Sequence, residues 1–335
     1  VGGLAAVFVF VLVAGPLMPR VAPVASRVFM PHMHWIVWCV ICFMLMSEWP
    51  KEEYAGQAGW TRFLVSWRSL GAGLATFMMS GFLGFVLMYR SPMPAEAAFQ
   101  NLAPAFAGLF TLPWLILNIA SRVEIPPQKE GRLEIPAQAA IHGVVAGTLG
   151  GGFAAFFPVI TGGIGGFLAG HATALRNDVA FLVSQGASKV IYYVGGFLLL
   201  FVPTAHLTRG GGAWLIQGLV APRTDYEYYM ALASVAISGA ISFLLFSPLT
   251  RATMWLIGRA GYRKLSWASL IVVVALVAGM TGWAGGLVML TATGIGLIPV
   301  LFGSRRMNCL GVILLPIACN MSGIGSGVAA WLGLI

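Results

Sequence analysis

The chain has 335 residues, of which 59% are hydrophobic and only 9% are charged. Because a soluble globular domain carries about 25% charged residues, a soluble enzyme, a nucleic-acid-binding protein and a disordered scaffold are all poor interpretations. The net charge of +9 fits a membrane protein that concentrates lysine and arginine in its cytoplasmic loops. The long apolar runs lack the period-2 alternation of a β-barrel and predict an all-α polytopic membrane protein.

Apolar runs without a charged residue mark the predicted membrane-spanning helices. They cover residues 1–19, 28–47, 69–89, 97–121, 135–175, 190–205, 228–250, 265–304 and 307–335. The 265–304 run is long enough for two crossings, with a predicted turn at 283–286. A polar, glycine-rich stretch at 320–327 predicts a bend in the last run.

The distribution of lysine and arginine predicts an orientation. If 265–304 and 135–175 each return to the side from which they start, 14 of the 19 Lys and Arg residues fall on one side of the membrane and five on the other. The richer side is predicted to be cytoplasmic, in a prokaryotic cytoplasmic (inner) membrane. Val1 is then cytoplasmic and Ile335 extracytoplasmic.

The first and last helices share a loose pattern. Pro16 and Arg20 correspond to Pro248 and Arg251, and Gly108 and Pro113 correspond to Gly311 and Pro316. Because the predicted topology runs the two sets in opposite directions, they suggest the inverted repeat of a secondary transporter. The alternative is that Gly and Pro recur by chance.

Three domains follow from this comparison. A first four-helix repeat covers 1–121, a central hairpin and helix unit covers 122–227, and a second, inverted repeat covers 228–335. The first repeat lacks the hairpin unit that precedes the second. We therefore expect a matching hairpin before Val1, which has been cleaved, left out of the recorded sequence or supplied by another chain.

The 135–175 run holds the candidate substrate site. It contains ten glycines and a proline that prevents one continuous helix, so we expect a Pro/Gly-rich hairpin with arms at 138–157 and 161–175. Backbone that is not helical at membrane depth lines a cavity or is buried in protein, and a helix N-terminus attracts anions. The candidate residues are Pro158, Thr161, Gly162, Gly163, Gly165 and Gly166. The alternative is a glycine face for helix packing.

A polar cluster follows the hairpin. Ser184, Gln185, Ser188 and Lys189 open an apolar helix and are candidate substrate contacts, because polar residues inside a membrane are often functional. The alternative for Lys189 is a lysine that reaches to the membrane interface. The segment 177–178 has the composition of a helix start. No known catalytic motif is present, so we expect no enzyme activity, no cofactor and no bound metal apart from a coupling ion.

Several segments resemble one transporter family. Residues 291–316 (TATGIGLIPVLFGSRRMNCLGVILLP) are similar to the C-terminal signature of the tripartite tricarboxylate transporter large permease family (TctA-like), especially its archaeal-type branch. Its first-half signature resembles residues 80–84 (SGFLG), 102–110 (LAPAFAGLF) and 125–128, and residues 178–188 resemble the segment after its second hairpin.

The resemblance implies an inverted-repeat permease of the twelve-helix class. It implies carboxylate import, often with a small membrane subunit and an extracytoplasmic binding protein. Family members carry a Pro-Gly tip in each hairpin, whereas here Pro158 is followed by Val159.

The residues and the resemblance together predict a secondary transporter for a small organic anion, coupled to H⁺ or Na⁺. In this interpretation the hairpin at 158–166 forms half of the substrate site. One alternative is a translocase for a polyprenyl or lipid phosphate. Another is a non-transporting membrane subunit of a larger complex.

Overall fold

The computed structural model describes residues 2–49, 60–93, 101–121, 135–157, 159–173, 177–203, 207–209, 213, 216–219, 222 and 224–335. Over these residues the regular secondary structure consists of helices, with no β-strand. The all-α prediction is therefore confirmed.

Thirteen α-helices are described. They are α1 (Gly2–Val9), α2 (Gly15–Phe29), α3 (Met33–Met46), α4 (Trp60–Tyr89), α5 (Leu102–Phe106), α6 (Leu112–Ala120), α7 (Ala137–Phe156), α8 (Gly162–Thr173), α9 (Asp178–Phe201), α10 (Asp225–Ala260), α11 (Tyr262–Phe302), α12 (Gly311–Met321) and α13 (Gly325–Trp331). A π-helical turn joins α1 to α2 at Phe10–Ala14, and another joins α5 to α6 at Ala107–Thr111.

The described helices fall into two compact units. The first consists of Val1–Met33 and Gln128–Ala252, and the second of His34–Pro127 and Thr253–Ile335. This division differs from the three domains predicted at 1–121, 122–227 and 228–335. Those domains and the inverted repeat stay predictions.

Helix α9 is the centre of the first unit, where α1, α2, α7 and α8 all contact it. Gly143, Gly147 and Gly151 lie four residues apart along α7 and face the backbone and the Cβ atoms of α9. The absence of Cβ atoms lets the two helices approach closely, as small residues at this spacing do in membrane proteins. The packing interpretation of the glycines is therefore correct for this face of α7.

The loop predicted between the first two spans is instead helical. Arg20 and Arg27, which we expected to lie in that loop, belong to α2, and Pro19 and Pro23 lie inside the same helix. The prediction of a break at 20–27 was wrong because the two arginines were taken as the boundaries of the spans. A proline inside a membrane helix is tolerated where another group satisfies the carbonyl that it leaves free.

Two glycine contacts join the helices of the second unit. Gly84 of α4 lies against the backbone of Val312 in α12, and Gly108 lies against Met289 and Thr293 of α11. These contacts bring together the segments 80–84, 102–110 and 291–316 that carry the family resemblance. The signature residues therefore lie at close helix crossings of this unit.

The long apolar runs are interrupted near the predicted positions. In α11 the backbone leaves the helical conformation at Gly282, which has φ 64° and ψ −161°, one residue before the predicted turn. Helices α12 and α13 are bent by 117° at a short break, which includes Gly323 at φ 76°. The bend expected within 320–327 is confirmed.

Candidate functional site at the hairpin tip

Helices α7 and α8 form the hairpin that the glycines and the proline predicted. Helix α7 ends at Phe156, Phe157 is extended, and α8 begins at Gly162. The two helices pack together where Gly150 and Gly165 face each other's backbone. The prediction of two arms instead of one continuous helix is confirmed, while Pro158 itself lies outside the described residues.

The hairpin tip contains an unfavourable backbone conformation. Val159 has φ 67°, and it is the one described residue other than glycine with a positive φ. The left-handed region costs an L-residue roughly 1–2 kcal/mol, and the cost is most unusual for a β-branched side chain. Val159 stands where the family resemblance implies a glycine, which would adopt this conformation freely.

The start of α8 presents polar groups at the tip. The carbonyl of Thr161 accepts hydrogen bonds from the N–H groups of Ile164 and Gly165 at 2.9 and 3.1 Å. The earlier N–H groups, those of Gly162 and Gly163, belong to the first turn, where amides lack a partner inside the helix. Gly163 is exposed, and a Cβ added to it would meet only the Thr161 hydroxyl within 4 Å. At Gly163 this turn is therefore not covered by a described residue.

Arg209 adds a positive charge to the tip. Its Nε donates to the carbonyl oxygen of Phe156, the last residue of α7, at 3.0 Å. Burial lowers the pKa of the Arg209 guanidinium, but an arginine stays protonated in a protein. The described residues include no hydrogen-bond partner for its two terminal nitrogens. A cation held by its Nε thus lies at the end of the hairpin.

The chain after α9 folds back to bring Arg209 there. The N–H of Leu207 donates to the carbonyl of Leu199 at 3.2 Å, and the Arg209 backbone lies against Gly196. A side chain at Gly196 would push this segment away from α9. The position of Arg209 therefore depends on a close approach between the returning chain and the helix.

Aromatic rings cover the sides of the tip. The ring of Tyr192 lies against Gly162 and is 5.1 Å from the ring of Tyr193, measured between centroids. Phe29 packs edge-on against Phe157, with 5.4 Å between their centroids. These rings leave the first turn of α8 and Arg209 as the polar elements of the tip.

The remaining predicted residues lie deeper, where the hairpin packs on α9. Ser184 Oγ is 3.2 Å from Thr173 Oγ1, and Gln185 Nε2 donates to the Gly166 carbonyl at 2.7 Å. Ser188 is buried, and its hydroxyl forms no hydrogen bond with a described residue. Gly165 and Gly166 are also buried, Gly165 against Gly150 of α7 and Gly166 against the Gln185 amide. These residues hold the hairpin in place.

Lys189 is exposed on α9. At the start of α8, Gly162 lies against Tyr192 and Gly163 beside the Thr161 hydroxyl, while Arg209 contacts the end of α7.

Arg209 is the residue that sequence reasoning missed. Counting charges placed it in an extracytoplasmic loop and gave it no role. It is the single charged residue between 190 and 222, and three glycines follow it. A lone arginine beside a glycine run in an apolar segment was the signal that pointed to a functional position.

The hydrophobic lengths of the helices define the class of protein. Within the described residues, six helices are long and apolar enough to cross a membrane, or seven if the bent pair α12–α13 counts as one span. The chain is thus a multi-pass helical membrane protein.

Comparison with protein families gives a match over nearly the whole chain. The model of the tripartite tricarboxylate transporter TctA family matches residues 1–311, and the chain belongs to this family. Neither the search of curated proteins nor that of solved structures gave a match. The chain is therefore a component of a transporter of the tricarboxylate class.

Proposed function

We propose that this chain is the permease of a secondary transporter for small organic carboxylates and that it binds the anion at the tip of the α7–α8 hairpin. The observation that carries the proposal is the contact of Arg209 Nε with the Phe156 carbonyl, 3.0 Å long. It fixes a guanidinium at the end of α7, at the hairpin tip where α8 begins with amides that lack a helical partner. A guanidinium and a helix N-terminus are both groups that recognise a carboxylate.

The chemistry of the tip favours an anion over a neutral or cationic substrate. Arg209 can donate two parallel hydrogen bonds to one carboxylate, while the Thr161 hydroxyl and the amides of Gly162 and Gly163 can donate to a second. A positive helix end adds to the attraction. Within the tip as described, no acidic side chain opposes this field.

Val159 supports a role for the tip beyond packing. A strained backbone persists where the surrounding structure fixes it, and such residues cluster at ligand sites. Its positive φ sets the direction in which the chain enters α8, and so orients the amides of the first turn.

The cellular setting completes the proposal. We place the chain in a prokaryotic cytoplasmic membrane with Val1 inside and Ile335 outside. Its partners are a small membrane subunit and an extracytoplasmic binding protein that delivers the anion, and transport is coupled to H⁺ or Na⁺. The two inverted halves would move against each other to expose the site alternately.

Binding to the purified chain tests the site directly. Thermal unfolding is followed during titration with citrate, shorter carboxylates and a polyprenyl phosphate. We expect citrate or a shorter carboxylate to raise the unfolding midpoint. Arg209→Gln should weaken that binding by about 10- to 100-fold, the value of a charge-assisted hydrogen bond of 1.5–3 kcal/mol.

The matched control is Arg20→Gln, which removes a charge from an exposed position of α2 and should leave the affinity unchanged. Equal carboxylate affinities of wild type and Arg209→Gln would refute the site. Stabilisation by the polyprenyl phosphate alone would support the translocase instead. Uptake of carboxylate by liposomes that contain the chain and its partners then separates a permease from a non-transporting subunit.

A further inference from the structure

A buried polar cluster in the second unit lies outside the hairpin site. Glu48, two residues beyond the end of α3, is 6% exposed, Ser304 is 9% exposed and Asn308 is fully buried. Oε1 of Glu48 accepts hydrogen bonds from the Arg305 N–H at 2.7 Å and from Asn308 Nδ2 at 3.1 Å. Two N–H groups therefore donate to one oxygen of this buried carboxylate.

The Glu48 carboxylate forms no ion pair with a side chain of the described residues. Among the nearby hydrogen bonds, Arg305 donates to Ser47 Oγ at 3.2 Å and Arg306 to the Phe110 carbonyl at 3.2 Å. A buried carboxylate without a countercharge is costly, so a bound cation would stabilise it.

Two further oxygens in the cluster lack partners. Asn308 Oδ1 and Ser304 Oγ are both buried and form no hydrogen bond with a described residue. The amide of Asn308 lies at the carboxylate, since its Nδ2 donates to Glu48, and Ser304 directly precedes the residue whose N–H binds Glu48. Buried polar atoms normally have a hydrogen-bond partner. The lone pairs of these two oxygens can bind a cation, whereas the Asn308 Nδ2 group is a donor and cannot.

We propose that Glu48, Ser304 and Asn308 form a binding site for a sodium ion. All three supply oxygen, the ligand atom of hard cations, and one carboxylate balances one positive charge. A divalent ion is disfavoured, because no group of three or more His, Cys, Asp or Glu side chains occurs in the described residues. The sodium site itself does not depend on the proposed function. Its role, which is to bind the coupling ion, rests on that function.

The position of the cluster suits access from water. Glu48 follows the last turn of α3, and Ser304 lies between the end of α11 at Phe302 and the 3₁₀ turn Arg306–Leu310. The site is thus at the helix ends, on the side where the charge pattern predicts cytoplasm. Gly73 of α4 faces the Asn308 amide, and the lack of a side chain there leaves room for the cluster.

The test measures sodium binding without any organic anion, so that it is independent of the hairpin site. Thermal unfolding of the purified full-length chain is followed while NaCl replaces KCl or choline chloride at constant ionic strength and pH. We expect a saturable rise of the midpoint with Na⁺ and none with K⁺. Glu48→Gln should abolish the rise, and Ser304→Ala should raise the half-maximal Na⁺ concentration by about tenfold.

Asp225→Asn is the matched control, because Asp225 is exposed in the first turn of α10, and it should retain the wild-type response. If Glu48→Gln does not fold, Ser304→Ala decides, since it keeps both hydrogen bonds of Glu48 and removes a hydroxyl without a described partner. Equal midpoints in Na⁺ and K⁺ would overturn the proposal. Carboxylate binding is also measured without Na⁺. If it persists, the hairpin site is supported even when the sodium site is refuted.

Discussion

The Tyr228 hydroxyl donates to the carbonyl oxygen of Gly15 at 2.6 Å, and this carbonyl is the one that Pro19 leaves without a helical partner. In an α-helix the N–H of residue 19 would donate to the carbonyl of residue 15, but a proline has no N–H. Tyr228 of α10 supplies the missing donor. The helix α2 can therefore continue through Pro19 in an apolar environment.

Tyr228→Phe should destabilise the protein by about 1–2 kcal/mol, because it leaves a buried carbonyl unsatisfied. Tyr228 is fully buried, whereas its neighbour Tyr229 is half exposed, so Tyr229→Phe is the control and should change the stability little. Unfolding of both variants in detergent measures the difference. Equal unfolding curves for the two variants would show that Pro19 needs no external donor.

Val159→Gly should stabilise the hairpin by about 1 kcal/mol, because glycine adopts the positive φ of this position without the steric cost. Val145→Gly should instead lower the stability, because Val145 is exposed inside α7 and glycine weakens a helix at such a position. Thermal unfolding midpoints of the two variants should therefore move apart. A lower midpoint for Val159→Gly would mean that the tip does not carry this strain.

Gly163→Leu should abolish carboxylate binding and leave the fold intact. A side chain there extends into open space beside Thr161, over the amides of the first turn of α8. Gly162→Leu should instead destabilise the protein, because a Cβ at Gly162 collides with the Tyr192 ring. Unfolding measured with and without citrate separates the two effects.

Gly152→Leu serves as the control for these hairpin variants, since nothing lies within 4 Å of a Cβ at Gly152. It should keep both stability and binding. If Gly163→Leu binds carboxylate as well as Gly152→Leu does, the first turn of α8 takes no part in recognition.

Gly84→Ala should destabilise the second unit by about 1–3 kcal/mol, the usual cost of overpacking. Its Cβ would meet the Val312 carbonyl, which is backbone and cannot rotate away. Gly294→Ala in α11 is the comparison, because its Cβ would meet nothing within 4 Å. It should gain up to about 1 kcal/mol from the better helix propensity of alanine. If Gly84→Ala and Gly294→Ala changed the stability in the same direction, the close crossing of α4 and α12 would be contradicted.

The amino-acid sequence alone determined the membrane class and the local breaks of the helices. Scarce charges and long apolar runs predicted helical spans, because a chain in lipid must satisfy its backbone within each segment. Local signals also predicted the start of α9 at Asn177, whose side chain accepts a hydrogen bond from the Val179 N–H at 2.7 Å as an N-cap. They likewise predicted the bend after Met321. The signature segments indicated the family that the comparison then showed.

Distant contacts decided what local signals did not. Arg20 and Arg27 looked like loop residues, yet α2 continues through them because Tyr228, more than 200 residues away, satisfies the Gly15 carbonyl. Arg209 reaches the hairpin only because the chain folds back along α9, and Glu48 is buried only because Asn308 and Arg305 meet it. Hydrophobicity and backbone preference act over a few residues and are visible in sequence. The surroundings of a single charge depend on which distant segments meet, and only the tertiary structure determines that.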